Sequence, residues 1–85
     1  MYIDYSTEFS RRFKKLPIEV KMEAVQKEKL FRKDPFYPSL KTHKLSGNLK
    51  GRWAFSVSYK YRIIFAFIKE KYIVFHTIGK HDIYK

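Results

Sequence analysis

The sequence predicts an α+β fold: an N-terminal strand, a helical hairpin, then a mostly antiparallel sheet. Two observations lead there. Residues 51–84, GRWAFSVSYKYRIIFAFIKEKYIVFHTIGKHDIY, contain three strand-like runs with only short polar breaks between them. Upstream, Phe9, Phe13 and Leu16 recur at i, i+4, i+7, the period of one helix face. Tight hairpins imply antiparallel neighbours, and helices so placed must cover one face of the sheet. The expected order is β-α-α-β-β-β in one domain, residues 1–85.

In chain order, Met1 to Tyr5 reads as a short first strand. Ser6 is a plausible N-cap and Glu8 sits in the first turn, where a carboxylate favours the helix dipole. The first helix runs to about Lys15, with Arg11, Arg12, Lys14 and Lys15 off the apolar stripe. Pro17 breaks the chain and suits the first turn of a second helix, which extends to about Lys33. That helix carries two apolar stripes: Ile18, Met22 and Val25 on one face, and Val20, Ala24 and Phe31 nearly opposite. A surface helix needs only one. Core contacts on both sides are the expectation, with a docking face for a partner as the alternative.

Asp34-Pro35 stops the helix, because the residue before proline is pushed out of helical geometry. Residues 35–50 form a long basic loop, and a connection this long in a small domain is more often functional than slack. From Arg52 to Tyr59, Trp53, Phe55, Val57 and Tyr59 alternate with smaller or polar residues, the period of a strand. Lys60 marks a tight turn. Tyr61 to Ile68 is apolar on both faces except for Arg62, so it should be the central strand. Lys69-Glu70-Lys71 is a charged hairpin turn, and Tyr72 to Ile78 the last strand, with His76 on the side of Tyr72, Val74 and Ile78 as a structural residue.

Composition narrows the function classes. The formal charge is +11, the pI about 10.0, and 19% of residues are aromatic. After Pro35 only Glu70 and Asp82 are acidic, so the positive field belongs mainly to the loop and sheet half. Such a balance in a small domain points first to nucleic acid. There is no cysteine, hence no disulfide framework or thiolate metal site. The start, MYIDYSTEF, lacks a basic region followed by an apolar run, and no apolar stretch approaches the roughly 18 residues that span a bilayer. A cytoplasmic protein without a membrane partner is expected.

Four residues could carry chemistry. Arg62 interrupts an apolar strand, and charged side chains are almost never buried unpaired. It is either bonded to Asp82 or Glu70, open to water at a strand end, or a phosphate ligand presenting its fork. His81 follows the last strand beside Lys80, Asp82 and Tyr84, and histidine is the side chain suited to proton transfer near neutral pH. His43 lies in the basic loop. Two histidines and an arginine would supply the base, acid and positive charge that RNA cleavage by a 2′-hydroxyl needs. Each histidine alone is more often a surface residue than a catalyst. Tyr84 could stack on a base or donate a hydrogen bond, or merely pack the terminus. Phosphate-loop, HExxH, CxxC and GxSxG motifs are absent, and the acidic residues form no metal-binding cluster, so no metal or cofactor is expected.

The stretch LKTHKLSGNLKGRW, the run YRIIF and the ending IGKHDIY together resemble the RelE/ParE superfamily of type II toxin–antitoxin systems, most nearly its RelE, YafQ and YoeB branches. The resemblance covers essentially the whole chain. It implies a ribosome-dependent endoribonuclease that cuts messenger RNA in the ribosomal A site by metal-independent 2′-hydroxyl attack, held in check by a cognate antitoxin. It implies catalytic roles for Arg62 at the scissile phosphate, for His81 and His43 in proton transfer, and for Tyr84. It implies phosphate and ribosomal RNA contacts for Lys44, Lys50, Arg52 and Lys80. The glutamate base of YoeB-like members falls near Ser39 or Leu40 here, and a further YafQ histidine near Ser56, so those roles are missing. The alternatives are a ParE-like inhibitor of DNA gyrase that cuts no RNA, and an inactive module that binds RNA or antitoxin.

Overall fold

The computed structural model describes residues 1–84; Lys85, the last residue of the expected domain, lies outside the described residues. The elements are β1 (Tyr2–Tyr5), α1 (Thr7–Lys14), α2 (Ile18–Lys33), β2 (His43–Lys44), β3 (Trp53–Ser56), β4 (Arg62–Lys69) and β5 (Tyr72–Gly79), with 3₁₀ turns at Pro38–Leu40, Gly47–Leu49 and His81–Tyr84. They make the α+β fold expected. The five strands form one sheet in the order β1-β5-β4-β3-β2. Every pair is antiparallel except β1 with β5. The apolar strand β4 lies at the centre.

Both helices cover one face of this sheet. Phe31 of α2 is fully buried, its ring centroid 4.9 Å from Phe55, 4.9 Å from Phe65 and 5.5 Å from Phe75. One side chain thus ties the helix to β3, β4 and β5. Phe9 of α1 lies 5.5 Å from Phe75, with Phe13 and Leu16 packed on the same core. The start of α1 is fixed by Ser6, whose hydroxyl accepts from the Phe9 N–H at 2.9 Å and donates to the His76 carbonyl at 2.6 Å. An N-cap of this kind is worth about 1 kcal/mol; here it also couples helix to sheet. On the opposite side β1 is held to α2, where Arg32 donates to the Met1 carbonyl at 3.3 Å and pairs with Glu28 at 3.0 Å.

A smaller apolar cluster occupies the other face: Ala54, Ile64 and Ile83, with Leu45, Leu49 and Tyr84 against it. It draws the loop after α2 and the chain's last turn onto the same side of the sheet.

The structure departs from expectation in four places. The long basic loop contains a two-residue strand, β2, pairing His43 with Ala54 and Lys44 with Trp53. Strand β3 ends at Ser56; residues 57–61 form a loop closed by the Val57 N–H on the Tyr61 carbonyl at 2.9 Å, so Tyr59 is 93% exposed instead of sharing an apolar face. The Ile18–Met22–Val25 stripe is exposed, not core, because α1 packs on β5 and leaves an open apolar groove of about 350 Å³ between the helices. Finally, β5 carries a bulge. Ile64 pairs with Thr77 and Phe65 with Phe75, which leaves His76 over. The extra residue breaks strict alternation, so Ile78 joins Ile73 and Phe75 in the core instead of sharing a side with Tyr72 and Val74.

The bulge leaves Thr77 buried with its hydroxyl unpartnered among the described residues. An unsatisfied buried polar group costs about 1–3 kcal/mol, and an apolar group of the same shape removes that cost. Thr77→Val should therefore raise stability by about 1 kcal/mol, read as a rise of about 4–8 °C in the midpoint of thermal unfolding for a domain of this size. A lower midpoint would show that the hydroxyl is in use.

Candidate active site

The end of β4, the loop before it and the chain's last turn converge at one rim of the sheet. Arg62 is the first residue of β4 and sits between Ser56 of β3 and Gly79 of β5 in the register. Its side chain is half-buried and makes none of the ion pairs considered from the sequence. Asp82 instead pairs with Arg12 of α1 at 3.4 Å. The Arg62 Nη1 donates to the carbonyls of Ser58 at 2.7 Å, Tyr59 at 3.0 Å and Tyr61 at 3.1 Å. One nitrogen thus holds the 57–61 loop. The remaining donors of the fork carry no hydrogen bond among the described residues.

The last turn is set by close packing. Gly79 is buried, and a Cβ built there would stand 2.5 Å from Ile83 Cγ2 and 3.1 Å from Arg12 Nη1. The glycine is therefore a matter of space. Ile83 is buried in the small cluster, while the Arg12–Asp82 pair clasps the turn to α1 from outside. Arg12 also meets Glu8 at 3.5 Å, so two carboxylates share it.

His43, Tyr59, Lys60, Arg62, His81 and Tyr84 line one cavity of about 270 Å³. The structure thus brings together the four residues singled out for catalysis: His43, Arg62, His81 and Tyr84. Lys80 lines an adjoining hollow of about 410 Å³ with Tyr59, Lys60, Arg62 and His81. Its ammonium lies 5.6 Å from the centre of the Tyr61 ring. Lys44, Lys50 and Arg52 do not join this cavity. They line a separate depression beside Trp53, over which Lys44 sits at 5.5 Å. Leu40, near the missing glutamate, is fully buried, and Ser39 is exposed.

Local geometry selects the tautomer of one of the four and the ionisation of another. The His43 Nδ1 lies 3.0 Å from the Lys41 carbonyl. A carbonyl only accepts, so Nδ1 carries the proton and Nε2 presents a lone pair in the neutral ring. Lys41 itself has φ 51°, which turns the chain sharply into β2. Burial pushes the Tyr84 hydroxyl up from its usual range, and the Arg62 charge offsets this in part. Tyr84 is thus a protonated donor at neutral pH. The His81 ring lies 6.0 Å from that of Tyr84 and is open to solvent. His76 is not in the cavity; burial, then the charge of Arg52, lowers its pKa against the weaker pull of Glu8, so it stays neutral. Among the described residues no three His, Cys, Asp or Glu side chains are grouped to hold a metal ion.

Tyr59 and Lys60 are the cavity residues that sequence reasoning missed. The alternation through Val57 and Tyr59 imitates a continuing strand. The only contrary signal is the polar Ser58 and Lys60 around it.

No protein-family model and no curated protein sequence matches the chain. Solved structures do. A YoeB/ParE toxin from Agrobacterium tumefaciens superposes with a TM-score of 0.80 at 12% identity, covering 95% of this chain and 99% of that one. YafQ from E. coli gives 0.77 at 22% identity, covering 95% and 93%. The YoeB–YefM complex from Staphylococcus aureus gives 0.77 at 15% identity, covering 95% and 97%.

Gly79→Ala should lower stability by about 1–3 kcal/mol, the usual cost of overpacking, and shift the His81 and Tyr84 ring resonances in an NMR spectrum while leaving those of Phe31 in place. Unshifted His81 and Tyr84 signals would show that the turn does not depend on the missing Cβ. The chain has the RelE-like fold of the YoeB/ParE and YafQ toxins.

Proposed function

We propose that the protein is the toxin of a type II toxin–antitoxin pair and cleaves messenger RNA on the ribosome, hence in the cytoplasm. The observation that carries this is the single cavity lined by His43, Arg62, His81 and Tyr84. In the reaction the 2′-hydroxyl attacks the adjacent phosphorus, and the bond from phosphorus to the 5′-oxygen breaks. His43 Nε2, with its lone pair free, takes the 2′ proton. His81 in its protonated form gives a proton to the departing 5′-oxygen. The unused donors of Arg62 and the Tyr84 hydroxyl bind the phosphate oxygens as charge builds on them. The products are a 2′,3′-cyclic phosphate and a 5′-hydroxyl. Lys44, Lys50 and Arg52, outside the cavity, hold phosphates further along the message or on ribosomal RNA.

Expression of the intact chain should arrest growth, and primer extension should map new ends in messages only when ribosomes are present. Removing an acid or base costs about 10²–10⁴-fold, so an Arg62→Ala, His81→Ala double variant should lose cleavage by at least that factor. Undiminished cutting by the double variant would refute the assignment. Intact messages with broken DNA would instead indicate inhibition of gyrase by binding.

The partner of this reading is an antitoxin. The structural neighbours include toxin–antitoxin complexes of two kinds, YoeB–YefM and DinJ–YafQ. Val25, 47% exposed, lines the groove with Tyr5, Phe9 and Phe13, and Ile18 and Met22, each 63% exposed, share its face of α2 by helical spacing. An amphipathic segment with acidic flanks would cover them and offset the +11 charge. Met22→Asp with Val25→Asp should weaken the complex with the protein encoded beside this one by about 100-fold in a binding titration, with cleavage unchanged, as removal of central apolar contacts does. Equal affinity would place the antitoxin elsewhere.

A further inference from the structure

Tyr59 is 93% exposed, more than any other large apolar residue described. An aromatic ring left in water forgoes the burial that makes aromatic residues stabilising. Yet the loop that displays it is well ordered by hydrogen bonds. Val57 and Ser58 both donate to the Tyr61 carbonyl, at 2.9 Å and 3.3 Å. The Tyr61 N–H reaches the Ser58 hydroxyl at 3.4 Å. Arg62 then binds three of the loop's carbonyls, that of Tyr59 among them. The same guanidinium that faces the cavity thus fixes the backbone under the exposed ring.

The surroundings select the ligand. Tyr59 lines the cavity of His43, Arg62, His81 and Tyr84, and also the adjoining hollow with Lys60, Lys80, Arg62 and His81. No carboxylate lines either. An apolar protein segment would have to bury three cations, Lys60, Arg62 and Lys80, without a carboxylate to pair them. A single-stranded nucleic acid has both parts required, a phosphate for the cations and a flat base for the ring.

We propose that Tyr59 is a stacking platform for one nucleobase of single-stranded RNA, next to the phosphate bound by Arg62. The proposal rests on the RNA-cleaving reading and adds a base subsite to it. Stacking is tolerant of base identity, because every base has a π-face. Tyr59 therefore supplies affinity and places the strand, and preference for particular bases must come from elsewhere.

The test uses short RNA with a 2′-deoxy nucleotide at the cleaved position, so that binding is read without cutting. Matched strands carry an abasic sugar at each neighbouring position in turn. Wild type, Tyr59→Phe and Tyr59→Leu are titrated with each strand, free and in the A site of ribosomes. Tyr59→Leu should weaken binding to the intact strand by about 5- to 150-fold, the range seen when an aromatic platform is lost. Tyr59→Phe should bind like wild type. At one abasic position wild type and Tyr59→Leu should bind alike, because the ring has nothing to stack on. The proposal is overturned if Tyr59→Leu binds the intact strand as wild type does, or if its deficit persists on every abasic strand. Wild type that binds this RNA and cuts its all-ribose counterpart, while Tyr59→Leu binds as tightly, would sink the subsite alone. Wild type that binds neither form of RNA would sink both the subsite and the cleavage reading.

Discussion

The contact of Phe31 with Phe55, Phe65 and Phe75 is the constraint from which the remaining geometry follows. It joins α2 to three strands through one ring. Full burial of such a ring is worth about 3 kcal/mol, a sizeable share of the roughly 5–15 kcal/mol by which domains are stable. Its further effect is positional. Two residues later α2 ends at Lys33, and the side chain of its capping residue Asp34 accepts from the Phe36 N–H at 2.9 Å and starts the turn. The next fully buried side chain is Leu40. Between these two fixed points the loop has little freedom, and His43 follows directly. The place of His43 at the cavity is therefore a consequence of core packing on the opposite face.

Charge is distributed with the same economy. Three carboxylates near the helices are paired: Glu28 with Arg32, and Glu8 and Asp82 with Arg12. None lines the cavity or the hollow beside it. The cations there face solvent without a neutralising partner among the described residues, and a concave site lined by one sign concentrates counter-ions. The Arg12–Asp82 pair is exposed, so it adds little to stability; its role is to hold the last turn against α1.

Much of this was legible in the residues. The helix stripe of Phe9, Phe13 and Leu16, the central place of β4 and the order of elements all follow from periodicity, since burial of one face leaves a regular mark. The odd arginine in an apolar strand likewise marked the site. What escaped depended on contacts between distant segments. Strand β2 is two residues long and carries no period. The bulge at His76 arises from how β5 meets β4 and Ser6, and nothing in IVFHTIG announces it. The alternation through Tyr59 was real but did not end in a strand, because Arg62 draws the backbone of residues 58–61 into a loop. Whether an apolar stripe on α2 would be covered depended on where α1 lands, and that is set by β5.

Strand β1 pairs in parallel with β5, Tyr2 opposite Tyr72 and Tyr5 opposite Phe75. These partners are about as far apart along the chain as two strands of this sheet can be. Pairing of distant segments is slow, since the entropy of closing the loop is spent before the contacts form. The helices and the β4–β5 hairpin can form locally, but β1 waits for β5. The cavity waits as well, because its last turn leaves directly from the end of β5. Folding order thus separates the formation of a compact basic core from the completion of the site, and the edge of the sheet and the cavity rim close together.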